Sequence, residues 1–132
     1  MTVRGYRDLV AWQKSYALAL ECYKLARVFP SSEQFGLTTQ LRRAAVSVPA
    51  NIAEGNGRMY RGDYLRHLRI AHASLKELDT HLQFAKDLAY LPSKDADTVL
   101  ALVAEVGRIL GGLIKSLDVL PAHGARKKGL KR

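Results

Sequence analysis

The sequence has very little cysteine and no long apolar run, and each shortage excludes a class of protein. Cys22 is the only cysteine in 132 residues, so no intrachain disulfide and no zinc site built on thiolates can form. The most apolar stretch, residues 99–120, carries Glu105, Arg108 and Lys115, which argues against a membrane span. The N-terminus lacks the apolar segment of a secretory signal. We therefore expect a protein of the reducing cytoplasm, with Cys22 in or near its core.

The groups that metal binding or catalysis would need are also missing. The four histidines form no Glu-x-x-His pair, which excludes the di-iron site known from helical bundles, and we predict that His67 and His72 lie at the surface. No nucleophile has a base at a workable spacing. The glycines of the stretch GNGRMYRG follow no strand, although Arg58 and Arg61 within it are placed to approach a phosphate. The sequence thus predicts no catalytic residue, no metal and no cofactor.

Basic residues outnumber acidic ones, and the excess lies in two places. The formal net charge is +9, and +5 of it comes from the last ten residues, which contain no acid. Between Arg42 and Arg69 there are six arginines and no lysine, opposed only by Glu54 and Asp63. This balance favours a polyanionic partner such as nucleic acid. A charged surface that only keeps the protein soluble is the alternative.

Apolar residues recur at helical spacing in the first half of the chain. A first helix is predicted from about Asp8, its N-cap, to Val28. Its apolar stripe consists of Leu9, Trp12, Tyr16, Leu20 and Tyr23. A second helix begins near Ser31, which fits a capping box with Gln34, and ends at residues 55–57. Its apolar row consists of Leu37, Leu41, Ala44 or Ala45, Val48 and Ile52. Because the row continues unchanged past Pro49, we predict one helix with a kink there.

The second half of the chain contains two longer seams. A third helix is predicted from Asp63 to Leu91, with a heptad seam of Tyr64, Leu68, Ala71, Leu75, Leu78, Leu82, Ala85 and Ala89. A fourth begins at Ser93, with a seam of Val99, Val103, Val106, Leu110, Leu113, Leu117 and Leu120. Its glycines Gly107, Gly111 and Gly112 predict the close approach of a neighbouring backbone. The fold prediction is all-α: an antiparallel up-down-up-down four-helix bundle over residues 1–120, with the second helix kinked at Pro49 and a basic, disordered tail over residues 121–132.

Two kinds of binding surface are predicted. Apolar residues outside the seams indicate self-association through the first and fourth helices; they are Val10, Ala17, Ala19, Leu25, Leu100, Ile114 and Val119. Arg42 and Arg43 suit either a salt bridge at that interface, with Glu54 as a possible acid, or a phosphate. For the remaining basic groups we favour phosphate, since the planar guanidinium can donate bidentately. The predicted nucleic-acid contacts are Arg58, Arg61, Arg66, Arg69, Arg126, Lys127, Lys128, Lys131 and Arg132.

Four stretches resemble a known family. YRDLVAWQKS, FGLTTQLRRAAVSVPANIAEGNGR, YLRHLRIAHASLKELDTHLQFA and EVGRILGGLIKSL are together similar to the four-helix-bundle proteins first described as encoded by intervening sequences in 23S ribosomal RNA genes, over about residues 6–118. The last stretch also resembles the accessory variability proteins of diversity-generating retroelements. The resemblance implies a homopentamer without accepted catalytic activity. From the retroelement branch it implies a basic surface that engages nucleic acid and a reverse transcriptase.

The combined prediction is a non-catalytic, cytoplasmic, oligomeric bundle. It binds RNA or DNA non-specifically through its basic surface and tail, because the sequence contains no motif for reading bases in a groove. The alternative is a protein–protein interaction scaffold whose basic charge serves solubility or an acidic partner. An enzyme that uses the EGNGR loop is a third, less favoured class.

Overall fold

Within residues 5–118, the part of the chain that the computed structural model describes, the fold consists of helices and turns without a β-strand. Its four α-helices are α1 (Val10–Ala26), α2 (Leu37–Asn56), α3 (Arg61–Asp87) and α4 (Ser93–Asp118). Short 3-10 turns, Tyr6–Asp8 and Ser31–Glu33, precede α1 and α2. Each helix packs against the next in sequence, and α1 also packs against α4, so that the four close around one core. The predicted all-α four-helix bundle is confirmed.

The seams of α2, α3 and α4 form the core as predicted. Their buried residues include Leu41, Val48 and Ile52 in α2, Leu68, Leu75, Leu78 and Leu82 in α3, and Val99, Val103, Val106, Leu110 and Leu113 in α4. Pro49 lies inside α2, which continues to Asn56, and its side chain is buried. The prediction of a single helix through Pro49 is therefore confirmed; the kink and the antiparallel order stay predictions.

The predicted core stripe of α1 is wrong for Tyr16, Leu20 and Tyr23, whereas Leu9 is buried as predicted. The buried face of the helix carries mainly small residues, namely Ala11, Ser15, Leu18, Ala19, Cys22 and Ala26. Tyr16, Leu20 and Tyr23 are 47%, 49% and 41% exposed, and Trp12 is half-buried with its ring stacked on Tyr16. The reason is steric: side chains of alanine, serine and cysteine size let α1 lie close to its neighbours, whereas a row of aromatic rings would hold it away.

The helix ends also differ from the predicted ones. Asp8 lies in a 3-10 turn and Leu9 occupies the N-cap of α1, while α3 already begins at Arg61, which leaves Asp63 in its first turn. The helix α3 ends at Asp87, before Ala89, whose φ is 59°. The N–H of Ala89 bonds to the carbonyl of Lys86, and that of Tyr90 to Ala85, which is the hydrogen-bond pattern of a Schellman motif.

The glycines of α4 do not mark a close contact within the chain. Apart from its chain neighbours and the backbone of its own helix, a Cβ added at Gly107, Gly111 or Gly112 would meet no atom of the described chain within 4 Å. The predicted approach of a neighbouring backbone is therefore wrong for these residues of a single chain.

The N-terminus of α2 is capped by Glu33 instead of the predicted Ser31–Gln34 box. The helix begins only at Leu37, whose N–H donates to Glu33 Oε1 at 3.1 Å, and Tyr90 O–H donates to Glu33 Oε2 at 2.7 Å. The Leu37 N–H first, and then the Tyr90 hydroxyl, lower the pKa of Glu33, while the bond to Glu33 raises the pKa of Tyr90. One side chain thus connects the start of α2 to the loop that follows α3.

Replacing Glu33 with glutamine is expected to lower the melting temperature at neutral pH. Because folding lowers the pKa of Glu33, its stabilisation is complete above the unfolded pKa of about 4.3 and disappears as the pH falls through the folded value. The difference between wild type and Glu33→Gln should therefore shrink on acidification, as followed by circular dichroism. Glu77→Gln, at an exposed acid without an ion pair among the described residues, is the matched control. A difference that does not depend on pH would contradict the ionic cap.

Candidate functional site

A row of polar residues lies on the face of α2 that packs against α3. Ser47, Asn51, Glu54 and Arg58 follow one another at intervals of four, three and four residues, so they occupy one side of the helix and its C-terminal turn. The apolar row Leu41, Val48 and Ile52 lies on a different side and fills the core. The proline-containing stretch of the sequence therefore serves two faces, one for the core and one for a polar contact with α3.

Hydrogen bonds connect this row to α3. Ser47 Oγ and Ser74 Oγ are 2.8 Å apart. The Asn51 amide donates to the Ser47 carbonyl at 2.9 Å and to its hydroxyl at 3.1 Å. With its NH₂ group so engaged, Asn51 turns its Oδ1 toward His67, whose Nδ1–H donates to it at 3.1 Å. The orientation of the His67 ring is thus fixed from α2.

The imidazole of His67 in turn positions Arg66. Its other nitrogen, Nε2, lies 3.2 Å from Arg66 Nη2. Arginine has only donors, so Nε2 accepts this bond, and the ring is the neutral Nδ1–H tautomer. His67 is only 5% exposed, which makes the prediction of a surface histidine wrong. The burial follows from its packing against α2.

Glu54 completes the arrangement. Its Oε2 lies 2.8 Å from Arg58 Nη2 and 3.7 Å from His67 Nε2. Arg58 and His67, one from each side of the α2–α3 contact, therefore flank this carboxylate, and Arg66 is connected to it only through His67. We call Ser47, Asn51, Glu54, Arg58, Arg66, His67 and Ser74 the α2–α3 polar cluster.

Gly55 makes the close contact of α2 and α3 possible. A Cβ at this position would lie 2.8 Å from His67 Cβ, 3.0 Å from Tyr64 Cδ1 and 3.2 Å from the Tyr64 carbonyl oxygen. These distances are shorter than van der Waals contacts allow. Because Gly55 has no side chain, α2 and α3 can approach closely enough for the polar cluster to form.

The other predicted nucleic-acid residues do not join this cluster. Arg61 is 6% exposed, and within residues 5–118 its Nη1 has no hydrogen-bond partner. Arg69 lies toward α4, where its Nη2 donates to both oxygens of Asp118 at 3.0 and 2.9 Å. The tail residues Arg126, Lys127, Lys128, Lys131 and Arg132 lie outside the described residues. Of Arg58, Arg61, Arg66 and Arg69, only Arg58 and Arg66 belong to the polar cluster, Arg58 through Glu54 and Arg66 through His67.

The predicted interface residues are dispersed. Arg42 lies over the Tyr23 ring at 5.1 Å instead of pairing with Glu54, and its Nε has no hydrogen-bond partner in the described part of the chain. Arg43 is exposed and lines a groove of about 470 Å³ between α2 and α3. Leu100 and Ile114 are half-buried and pack against the core, so they offer little free apolar surface. Val119 lies outside the described residues.

Cys22 is buried in the core, as predicted. Burial, and to a lesser extent the neighbouring Glu21, raises the pKa of its thiol to about 12. The thiol therefore stays protonated at neutral pH and is a poor nucleophile. Over residues 5–118 no group of three or more His, Cys, Asp or Glu side chains is placed to hold a metal ion. No helix in that range is long and apolar enough to cross a bilayer.

These features define an all-α four-helix-bundle protein whose second and third helices meet through a polar cluster. The chain matches the 23S rRNA-intervening sequence protein family over residues 7–112 and belongs to that family. It is also similar to the crystal structure of a protein of unknown function from the S23 ribosomal protein family of Bacteroides thetaiotaomicron. That match has a TM-score of 0.75 and 23% sequence identity, and it covers 80% of this chain and 99% of that chain. A comparison with curated proteins gave no match. The family resemblance predicted from the sequence is confirmed.

Proposed function

We propose that this protein is a non-catalytic bundle that binds RNA or DNA through phosphate contacts and without sequence preference. The observation that carries the proposal is that Arg58 and Arg66 both belong to the polar cluster at the α2–α3 contact, with Arg43 exposed on the groove that Ser47 and Ser74 also line. Guanidinium groups suit phosphate because they donate bidentately. The net charge of +9 supplies the long-range attraction. Phosphate contacts of this kind position a nucleic acid without reading its bases.

Self-association is the second part of the proposal. Of the apolar surplus expected on α1 and α4, the part on α1 supports this: Val10, Tyr16, Leu20 and Tyr23 are all more than 40% exposed. Exposed apolar surface of this kind is typical of an interface. The family resemblance implies a homopentamer, and the unpaired Cys22 fits the reducing cytoplasm. Light scattering over a range of concentrations is expected to give a mass of about five chains; a monomer at high concentration would contradict this part.

The salt dependence of binding tests the phosphate contacts. Log K for random-sequence RNA and duplex DNA, both phosphorylated at their 5′ ends, should fall linearly with log salt. The double substitution Arg58→Ala with Arg66→Ala should reduce the slope on duplex DNA by about 1.8, that is, about 0.9 for each lost phosphate contact. The matched control, Arg69→Ala with Arg108→Ala, removes the same charge from α3 and α4. If the two double substitutions reduce the slope equally, Arg58 and Arg66 are not the site of the phosphate contacts. An affinity that does not change with salt concentration would contradict binding through phosphates altogether.

A protein–protein interaction scaffold is the second candidate function. It is favoured by the exposed aromatic stripe of α1, since tyrosine and tryptophan are frequent in binding hot spots. A reverse transcriptase is one partner that the family resemblance suggests. This candidate predicts purified protein without bound nucleic acid. The ratio of absorbance at 260 and 280 nm, before and after a high-salt wash, separates the two functions.

A further inference from the structure

The α2–α3 polar cluster already contains an anion. Arg58 and Arg66 contribute two positive charges, Glu54 contributes one negative charge, and the tautomer of His67 is neutral. Asp63, one turn before Arg66 and His67, forms no ion pair among the described residues. Glu54 is paired with Arg58, whereas Arg66 is exposed and forms no ion pair among the described residues. An external anion that takes both arginines as ligands must therefore displace the Glu54 carboxylate from Arg58.

The side chains of Glu54 and Arg66 are held by different contacts. The Glu54 side chain is 56% exposed and that of Arg58 is 43% exposed, so their ion pair is screened by water and weak. Arg66, by contrast, lies at the end of a hydrogen-bonded chain that runs from Ser74 through Ser47, Asn51 and His67. The bond from Arg66 to His67 does not involve Glu54, so it can persist when Glu54 swings away. The result is a positioned donor next to a replaceable carboxylate.

The charge of the incoming group decides whether displacement is favourable. A phosphodiester carries one negative charge, so exchanging it for the Glu54 carboxylate leaves the electrostatic balance nearly unchanged. A terminal phosphate carries a charge of about −1.5 to −2 at pH 7 and has three acceptor oxygens. It gains more from two guanidinium groups than the carboxylate that it replaces. Glu54 therefore favours a monoester over a diester.

We propose that the α2–α3 polar cluster is a subsite for the terminal phosphate of a nucleic acid, with Arg58 and Arg66 as ligands and Glu54 as an internal competitor that disfavours phosphodiesters. His67, Asn51 and Ser47 are positioning residues that orient Arg66. The inference rests on the proposed nucleic-acid binding and adds to it the kind of phosphate that this site selects.

The test compares one short RNA with a 5′-phosphate and with a 5′-hydroxyl, binding to the full-length chain, by fluorescence anisotropy at fixed salt. We expect wild type to prefer the phosphorylated RNA about tenfold. Glu54→Gln should strengthen binding of the 5′-hydroxyl RNA and reduce the preference to about twofold. Arg58→Ala and Arg66→Ala should each abolish the preference. Asp118→Asn, which removes an acid paired with Arg69 near α4, should leave it unchanged. Circular dichroism shows whether each variant is folded.

Each outcome separates the subsite from the proposed function. Tight, salt-dependent but equal binding of both RNAs by wild type overturns the subsite and leaves nucleic-acid binding intact. A tenfold preference that survives in Glu54→Gln overturns the role of Glu54. Binding of neither RNA at low salt overturns the proposed function as well.

In a competition experiment, adenosine monophosphate should remove the preference for the phosphorylated RNA. If it binds more tightly than the phosphorylated RNA, the ligand is a free mononucleotide and the assignment to nucleic-acid ends is wrong.

Discussion

Replacing Gly55 with alanine will lower the free energy of unfolding by about 1–3 kcal/mol. In an open helix the same substitution would raise it by up to about 1 kcal/mol, because alanine is the better helix former. Here the new methyl group would lie 2.8 Å from His67 Cβ and 3.2 Å from a backbone oxygen of α3. Neither atom belongs to the flexible end of a side chain, so the helices themselves must separate. The contact between α2 and α3 thus makes a glycine-to-alanine substitution destabilising at a position within a helix, where it would otherwise be stabilising.

The matched control for this substitution is Gly107→Ala in α4. Apart from its chain neighbours and the backbone of its own helix, a Cβ there meets no atom of the described chain within 4 Å, so helix propensity should prevail and raise the free energy of unfolding by up to about 1 kcal/mol. Urea denaturation of the two variants and wild type at one temperature measures both effects. A Gly55→Ala protein as stable as wild type would show that α2 and α3 are further apart than described here.

Deleting residues 122–132 will weaken nucleic-acid binding and flatten its salt dependence. The deletion removes five basic residues and no acid. If each contacts one phosphate, the slope of log K against log salt on duplex DNA should decrease by about 4.5, from about 0.9 for each contact. Filter binding over a range of salt concentrations gives the slopes. The free energy of unfolding should not change, because the predicted apolar seam of the fourth helix ends at Leu120, before the deletion begins.

A second variant separates the loss of positive charge from the shortening of the chain. A full-length variant with glutamine at Arg126, Lys127, Lys128, Lys131 and Arg132 should behave like the deletion. If either variant binds nucleic acid as wild type does, the tail is not a phosphate-binding element. If both tail variants still bind partner proteins and not even wild type binds nucleic acid, the scaffold function is favoured.

The sequence predicted the helices best where a regular apolar row identifies the buried face. The heptad seam of α3 and the row of α2 past Pro49 are of this kind, and their buried residues agree with the prediction. In α1 both faces are apolar. Hydrophobicity then favours Trp12 and Tyr16, yet the small residues Ala11, Ser15 and Cys22 pack inward because they permit a closer approach. Volume, which an apolar pattern does not record, decides the orientation of this helix.

The candidate site was predictable only in part. Arg58 and Arg66 follow from the local excess of arginine, but the burial of His67 depends on Asn51, 16 residues earlier in the chain. The spacing of Ser47, Asn51 and Glu54 along one side of α2 is a signal that would have indicated a polar contact there. The pairing of Arg69 with Asp118, across 49 residues, has no local signal. Which arginines remain available is therefore a property of the tertiary structure.

The left-handed alanine between α3 and α4 shows where this protein has room to evolve. Ala89 has φ 59° in a position that glycine occupies in many proteins, and an L-residue there costs about 1–2 kcal/mol. A mutation to glycine would remove that cost without touching the core. The present sequence thus lies below the stability that its own architecture permits, as expected when selection maintains a threshold and not a maximum.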